Sequence, residues 1–371
     1  MQKTIAVIYG GQTGEHDVSL VSAASIVRKL DPARYRLLVI GIARHGSWYL
    51  QDPELIKACQ NGEGALELCE EASRSVAVLP GRAKNSFALA DGTPLGSVDC
   101  VFPVLHGSYG EDGTIQGLFD MCGLPYVGAG VCASALGMDK DLAKTIWKQA
   151  GLPIVPWIVV TSADRRQAQR YSAIIERAER DFRYPLFVKP SCAGSSVGAS
   201  KATSRGELEK AVDEALAWDD KALIEPFLQA REIECSITGN DEITAYTPGE
   251  VIPSHEFYDY DAKYIDPDGA ALIIPASIEE ESLGRIRELA KKAYHCLGIS
   301  GLSRVDFFVL KDSGEILLNE VNTLPGFTGI SMFPRMCEAS GLGYAELLDL
   351  VIELGIERHK TRQMRSYTRE T

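Results

Sequence analysis

The chain has 371 residues, of which 45% are hydrophobic, and carries 38 basic against 51 acidic side chains for a formal net charge of −13. That length exceeds what one hydrophobic core usually serves, so two or three domains with a cleft between them are expected. The composition excludes wholesale disorder, and the sign of the charge argues against nucleic acid or an anionic membrane as a partner. The nine cysteines are never closer than ten residues to one another, which excludes C-x-x-C and zinc-ligand spacings and points to a reducing, cytoplasmic compartment.

The opening run Thr4 to Gly10 reads as a strand and lacks the flanks of a signal peptide, and no stretch approaches the ~18 apolar residues of a membrane span. A helix at about Val18 to Leu30, with Asp17 as N-cap and Asp31-Pro32 as stop, and a strand at Arg36 to Ile42 complete a βαβ opening. The turn Gly10-Gly11-Gln12-Thr13-Gly14-Glu15-His16-Asp17 has no G-x-G-x-x-G register, so dinucleotide binding is poorly supported. Glu15 there either complements the helix dipole or anchors a cationic group such as a substrate ammonium. Residues 53–96 lose strong pattern and read as an insertion. Val98 to Leu105, apolar nearly throughout, reads as a buried parallel strand ending in His106-Gly107-Ser108-Tyr109-Gly110-Glu111-Asp112-Gly113, and ligands gather at such strand-to-helix turns.

A second unit follows: helices around Ser134 to Leu136 and Asp139 to Ala150, a strand at Trp157 to Val160, a helix over 163–182 and a strand at Leu186 to Lys189. The next turn, Pro190-Ser191-Cys192-Ala193-Gly194-Ser195-Ser196-Val197-Gly198, lets backbone N–H groups approach phosphate oxygens, with Lys189 adding a point charge. It is not a Walker A pattern, and alone it could equally be an ordinary hairpin turn. Lys140, opening a helix, offers a second phosphate contact.

The last unit holds strands at Glu232 to Ile237, Ile243 to Ala245 and Gly249 to Ile252, then a polar loop over 253–270 containing the aromatic and charged cluster Phe257 to Tyr264. That loop is either a lid or an Ω-loop packed on its own side chains. After a helix at Ile278 to Leu297, strands at Leu302 to Leu310 and Glu315 to Val321 form a hairpin around Lys311 to Gly314, and the tail beyond Arg358 reads as frayed. Residues two apart on a strand share a face, so Arg304 points with Asp306, and Glu320 with Asn322. If the hairpin pairs them, two carboxylates, an amide oxygen and a guanidinium share one patch, and oxygen ligands of this kind suit Mg²⁺ beside nucleotide phosphates. A solvated sheet face is the alternative.

In this order, GGQTGEHDVSL (10–20), HGSYGEDGTIQG (106–117), MDKDLAK (138–144), VKPSCAGSSVG (188–198), YDYDAKY (258–264), SRVDFF (303–308) and LNEVNTLPGFTGISMFPR (318–335) resemble the D-alanine:D-alanine ligases of the ATP-grasp superfamily. The resemblance runs from Ile5 to about Leu354. It implies an α/β ATP-grasp fold with an N-terminal Rossmann-like domain (1–128), a central domain (129–228) and a C-terminal domain (229–371), the nucleotide lying between the last two.

The activity it implies is ATP-dependent joining of two D-alanines through D-alanyl phosphate and a tetrahedral adduct, for peptidoglycan precursors. It further implies two Mg²⁺ ions, replaceable by Mn²⁺, and a cytoplasmic homodimer. Adenine is expected near Glu225, Glu232 and the Leu228 backbone, phosphates at Lys140 and Lys189 with Ser196 and Asn319 nearby, and the metals at Asp306, Glu320 and Asn322. By the same resemblance Glu15 fixes the ammonium of the first D-alanine, with Ser195 and Tyr264 as hydrogen-bonded partners. Lys263 and Ser331 receive the carboxylate of the second, and Arg304 and the Gly326 N–H meet the oxyanion. His106 and Glu111 match active-site positions to which no individual role is assigned.

Tyr264 and an apolar residue at Met332 favour D-alanine over D-lactate or D-serine as acceptor. Cys192 and Ala193 depart from the charged residues often found at their positions. Two rivals share these features: another ATP-grasp ligase with a different acceptor, and a nucleotide-binding module without turnover, which would release no phosphate when D-alanine is added. Tyr264→Phe is predicted to weaken loop closure and alter discrimination among acceptors. Unchanged kinetics with D-alanine, D-lactate and D-serine would count against that role.

Overall fold

The computed structural model describes residues 2–194, 196–253 and 270–366. In the first unit β1 (Lys3–Gly10) leads through α1 (His16–Lys29) to β2 (Tyr35–Ile42), followed by β3 (Trp48–Leu50), α2 (Pro53–Gln60), β4 (Val76–Val78), β5 (Phe87–Leu89), β6 (Cys100–Val104) and α3 (Thr114–Cys122). One sheet runs β3-β2-β1-β6, with β1 parallel to both β2 and β6. Alternate residues of β1 feed two cores: Ile5, Val7 and Tyr9 pack with α1, whereas Ala6 and Ile8 pack with Phe119 and Leu124. A strand buried on both faces must be apolar throughout, as the sequence of β1 is.

Two expectations change here. Helix α1 starts two residues earlier, at His16 with Glu15 at the N-cap, which puts Asp17 in the first turn, where it pairs with Arg44 at 2.7 Å instead of capping. The pattern-poor stretch contains α2, capped by the Asp52 side chain, and the antiparallel pair β4-β5. Elements this short carry too little periodicity to read.

The second unit begins with α4 (Val131–Met138) and α5 (Lys140–Gln149), then β7 (Ile158–Thr161), α6 (Ser162–Arg165), α7 (Ala168–Asp181), β8 (Leu186–Pro190), β9 (Ser200–Ala202), α8 (Arg205–Leu216) and β10 (Lys221–Pro226). Its sheet order is β7-β10-β8-β9, antiparallel throughout, backed by α7 and α8. The single helix expected over 163–182 is two, because the Thr161–Asp164 capping box closes a short first turn that ends at Arg166.

The third unit holds β11 (Ala230–Gly239), β12 (Ile243–Ala245), β13 (Gly249–Pro253), β14 (Ala270–Ile273), α9 (Glu280–Cys296), β15 (Gly301–Leu310), β16 (Ile316–Asn322), α10 (Met332–Ala339) and α11 (Tyr344–Gln363). Its sheet runs β14-β13-β11-β15-β16, with β12 paired to β11. On β11 the side chains of Ile233, Cys235 and Ile237, and on β15 those of Val305, Phe307 and Val309, bury against α9 and Trp147 of α5. The period of two therefore turns Glu232, Glu234, Arg304 and Asp306 to the opposite face, toward the second unit.

The tail expected to fray beyond Arg358 continues as α11 to Gln363, and this helix returns to the first sheet. Leu347, Leu348, Val351 and Ile352 join the core of Ile5, Val7 and Tyr9. The Arg358 guanidinium stacks 4.1 Å from the Tyr126 ring centroid, and Arg362 pairs with Asp120. Gly355 allows the approach, since a Cβ there would lie 2.5 Å from the Tyr126 carbonyl oxygen. Truncating fully buried Leu348 to alanine is predicted to destabilise the protein by about 3 kcal/mol, read as a lower urea midpoint with unchanged far-UV circular dichroism.

Candidate active site

Between the second and third sheets lies a cavity of about 780 Å³. Every residue expected to hold the nucleotide lines it: Lys140, Lys189, Ser196, Glu225, Leu228, Glu232 and Asn319, together with Glu320. Phe187, Phe227, Val251 and Phe308 supply apolar wall, which suits a flat ring beside a charged tail. Lys189 is the penultimate residue of β8, which pairs with β10, and its Nζ lies 3.0 Å from both Glu225 Oε2 and Asn319 Oδ1. Lys140 Nζ donates to the Ala193 carbonyl at 2.8 Å and sits 3.5 Å from Glu320 Oε2. Burial works to raise the Glu225 proton affinity, but Lys144 and Lys189 outweigh it and hold the carboxyl below its usual range.

The serine-rich turn hangs on the start of α5. The Asp139 side chain caps that helix, accepts from Ser191 Oγ at 2.7 Å and pairs with Lys221. Ser196 adopts a left-handed φ of 59°, rare for a residue with a Cβ and concentrated at ligand-binding turns.

Register places the acids. Asp306 lies opposite Glu320 on one side and Glu234 on the other, and Arg304 opposite Asn322. A bulge then makes Phe307 face Leu318, so Asn319 is the extra residue on β16. That slip lets adjacent Asn319 and Glu320 both reach the cavity while Leu318 and Val321 stay in the core. Arg304 grips Asp306 through two bonds of 2.8 and 2.7 Å and lies 3.1 Å from Glu234. Among the described residues no three His, Cys, Asp or Glu side chains close on a metal position. The oxygen set nevertheless fits a hard cation: Asp306 and Glu320 are in register, and Asn322 Oδ1 is buried without a hydrogen-bond partner.

A second cluster joins the first unit to the loop after β16. Glu15 does not use its side chain to cap α1. Its carboxylate occupies space that only glycine leaves open on two other segments, since a Cβ on Gly107 or Gly194 would come within 2.7 or 2.9 Å of Oε2. Glu111 accepts from the Gly107 N–H at 2.8 Å and the Leu324 N–H at 3.0 Å. His106 Nδ1 meets the Leu324 carbonyl at 3.1 Å. A carbonyl only accepts, so Nδ1 carries the proton, and Nε2 is left as a buried lone pair without a hydrogen-bond partner. Burial lowers the His106 proton affinity, with Glu15 pulling the other way. Burial, then Glu15, pushes the Glu111 carboxyl up to about 8.

Leu324 thus presents both backbone groups to one turn, fixing the loop that bears Gly326 and Ser331. Ser331 Oγ accepts from the Thr328 N–H at 3.0 Å and would lie 2.9 Å from a Cβ on Gly326. Met332 is buried with Val251 and Met336 and packs on Gly249. Ser195, Lys263 and Tyr264, and nearly all of the 253–270 loop, lie outside the described residues. Sequence reasoning missed Glu234, although it alternates with Glu232 in an apolar strand, and Lys144, whose helix position gave no signal of what it meets.

Residues 4–129 match the family model "D-ala D-ala ligase N-terminus", and residues 146–353 match "D-ala D-ala ligase C-terminus". The D-alanine–D-alanine ligase of Treponema denticola is 52% identical over 358 residues, covering 96% of this chain and 97% of that one. D-alanine–D-alanine ligase A of Escherichia coli K12 is 43% identical over 358 residues, 96% of each. Among solved structures, the D-alanine-D-alanine ligase of Coxiella burnetii aligns with a TM-score of 0.82 at 38% identity over 98% of this chain and 96% of that one. The VanG D-Ala:D-Ser ligase of Enterococcus faecalis aligns with 0.83 at 36% over 96% and 100%. A mixed α/β chain in the ATP-grasp arrangement, matched along both family models and nearly its whole length, this protein belongs to the D-alanine–D-alanine ligase family.

Proposed function

We propose that this protein joins two molecules of D-alanine at the expense of ATP, in the cytoplasm and as a homodimer, to supply peptidoglycan precursors. The observation that carries this reading is the convergence of Lys140, Lys189, Asn319 and Glu320 on one cavity walled by apolar rings. Lys140 and Lys189 hold the phosphates, and the Glu225–Leu228 edge with Glu232 holds the nucleoside. Asp306, Glu320 and Asn322 would hold Mg²⁺, which supplies neutralisation of the charge developing on the transferred phosphoryl group.

Glu15 fixes the ammonium of the first D-alanine. The carboxylate oxygen of that first D-alanine then forms a bond to the γ-phosphorus as the bond to ADP breaks, giving D-alanyl phosphate. The amine of the second D-alanine, arriving with its lone pair free, attacks the acyl carbon, and phosphate leaves as the tetrahedral adduct collapses. Arg304 and the Gly326 N–H stabilise the oxyanion, while Ser331 and Lys263 receive the second carboxylate, and Ser195 and Tyr264 tie the loop to Glu15. Support for the coupling of these two halves is the Leu324 clasp: His106 and Glu111 of the first unit fix the backbone two residues before Gly326.

Phosphate release with ATP and D-alanine alone, followed by mass identification of the product, tests the activity, and a panel with D-serine and D-lactate tests the acceptor. Glu320→Gln should cut turnover at least ~100-fold with the fold intact; turnover like that of the wild type would remove the metal site. Glu111 carries a proton to about pH 8 when folded but only to 4.5 by its ordinary value. Its stabilising contribution is therefore full below 4.5 and is lost as pH rises to 8. Urea unfolding across that window should show a slope that Glu111→Gln removes.

A further inference from the structure

We propose that Lys144 is a positioning residue for the nucleotide: by neutralising one side of Glu225 from behind the cavity, it leaves Lys189 a full positive charge to present to phosphate. Lys144 is 0% exposed and does not line the cavity, whereas Glu225 and Lys189 do. Its Nζ lies 2.8 Å from Glu225 Oε1, donates to the Val155 carbonyl at 3.0 Å and sits 5.9 Å from the Trp157 ring centroid. The other oxygen of Glu225 takes Lys189 at 3.0 Å. The triad of two lysines and one carboxylate carries a net charge of about +1, and without Lys144 the remaining pair would carry about zero, closed upon itself. Burying a cation costs enough that an apolar side chain of similar volume would serve packing better, so the charge itself needs a purpose.

The charged groups facing Lys144 are Glu225 from β10, Lys189 from β8 and, more remotely, Glu320 from β16. Burial first, with Lys189 adding, outweighs the two acids and brings the Lys144 ammonium down to about 8, inside the range of ordinary assays.

The inference rests on Lys189 facing the nucleotide phosphates, and equilibrium binding of ATP to the full-length protein separates the two. Lys144→Met should weaken ATP binding about tenfold while the KM for D-alanine stays within about twofold, and Lys144→Arg should retain the affinity. Wild-type affinity should fall as pH rises through about 8, and the Lys144→Arg profile should stay flat because guanidinium does not titrate there. This comparison decides the matter even if Lys144→Met fails to fold. Superposable pH profiles, or a folded Lys144→Met that binds ATP as the wild type does while Lys189→Met binds weakly, would overturn the role of Lys144 alone. Unchanged ATP affinity in Lys189→Met would instead overturn the placement of the phosphates, and this inference with it.

Discussion

Glu225 is the carboxylate around which the cleft is arranged. It is almost wholly buried, and a lone charge in that position would be neutralised by protonation rather than tolerated. Two lysines from different elements, Lys144 of α5 and Lys189 of β8, meet its two oxygens and keep it ionised. The same contacts dock the helix onto the sheet at the place where Asn319 and Glu320 arrive from the third unit. Lysines and acids thus hold one another in place from both sides of the cavity. Such a network is a poor route to stability compared with apolar packing, and its presence is better understood as a binding surface for something strongly anionic.

The apolar framework explains why those charges face inward. β11 and β15 each commit every second residue to the core beneath α9, which leaves the intervening acids and Arg304 no choice of side. The bulge on β16 adds the one irregularity required, turning two neighbouring polar residues toward the same space. On the other flank, α11 crosses back to cover the first sheet, so the unit bearing Gly326 and the unit bearing Glu15 share one hydrophobic core. The Leu324 clasp can therefore be held to hydrogen-bond distances although its partners are 213 and 218 residues apart. A cluster assembled from three separate segments needs that kind of support if it is to hold reacting groups, because small displacements between such groups cost large factors in rate.

Much of this was legible in the chain by itself. The apolar run of β1, the strand-to-helix turn after Val104, the alternation of Arg304 with Asp306 and the lysine preceding the serine-rich turn are local facts of spacing, governed by backbone periodicity and the steric freedom of glycine. Local rules also failed in predictable places: α1 begins before its most obvious capping residue, and the short elements of residues 53–96 and the broken helix before β8 carry too few periods to be distinguished from loop.

Sequence alone determined which residue types stand at each turn and which share a strand face, since these depend only on neighbours within a few bonds. Tertiary structure decided the register that sets Asp306 against Glu320, the meeting of Glu15 with Gly107 and Gly194, the two-sided hold on Glu225 and the return of α11 to the first sheet. Contacts of that kind join positions far apart in the chain, and their formation depends on how whole faces of helices and sheets bury against one another, a quantity that no local window of residues contains.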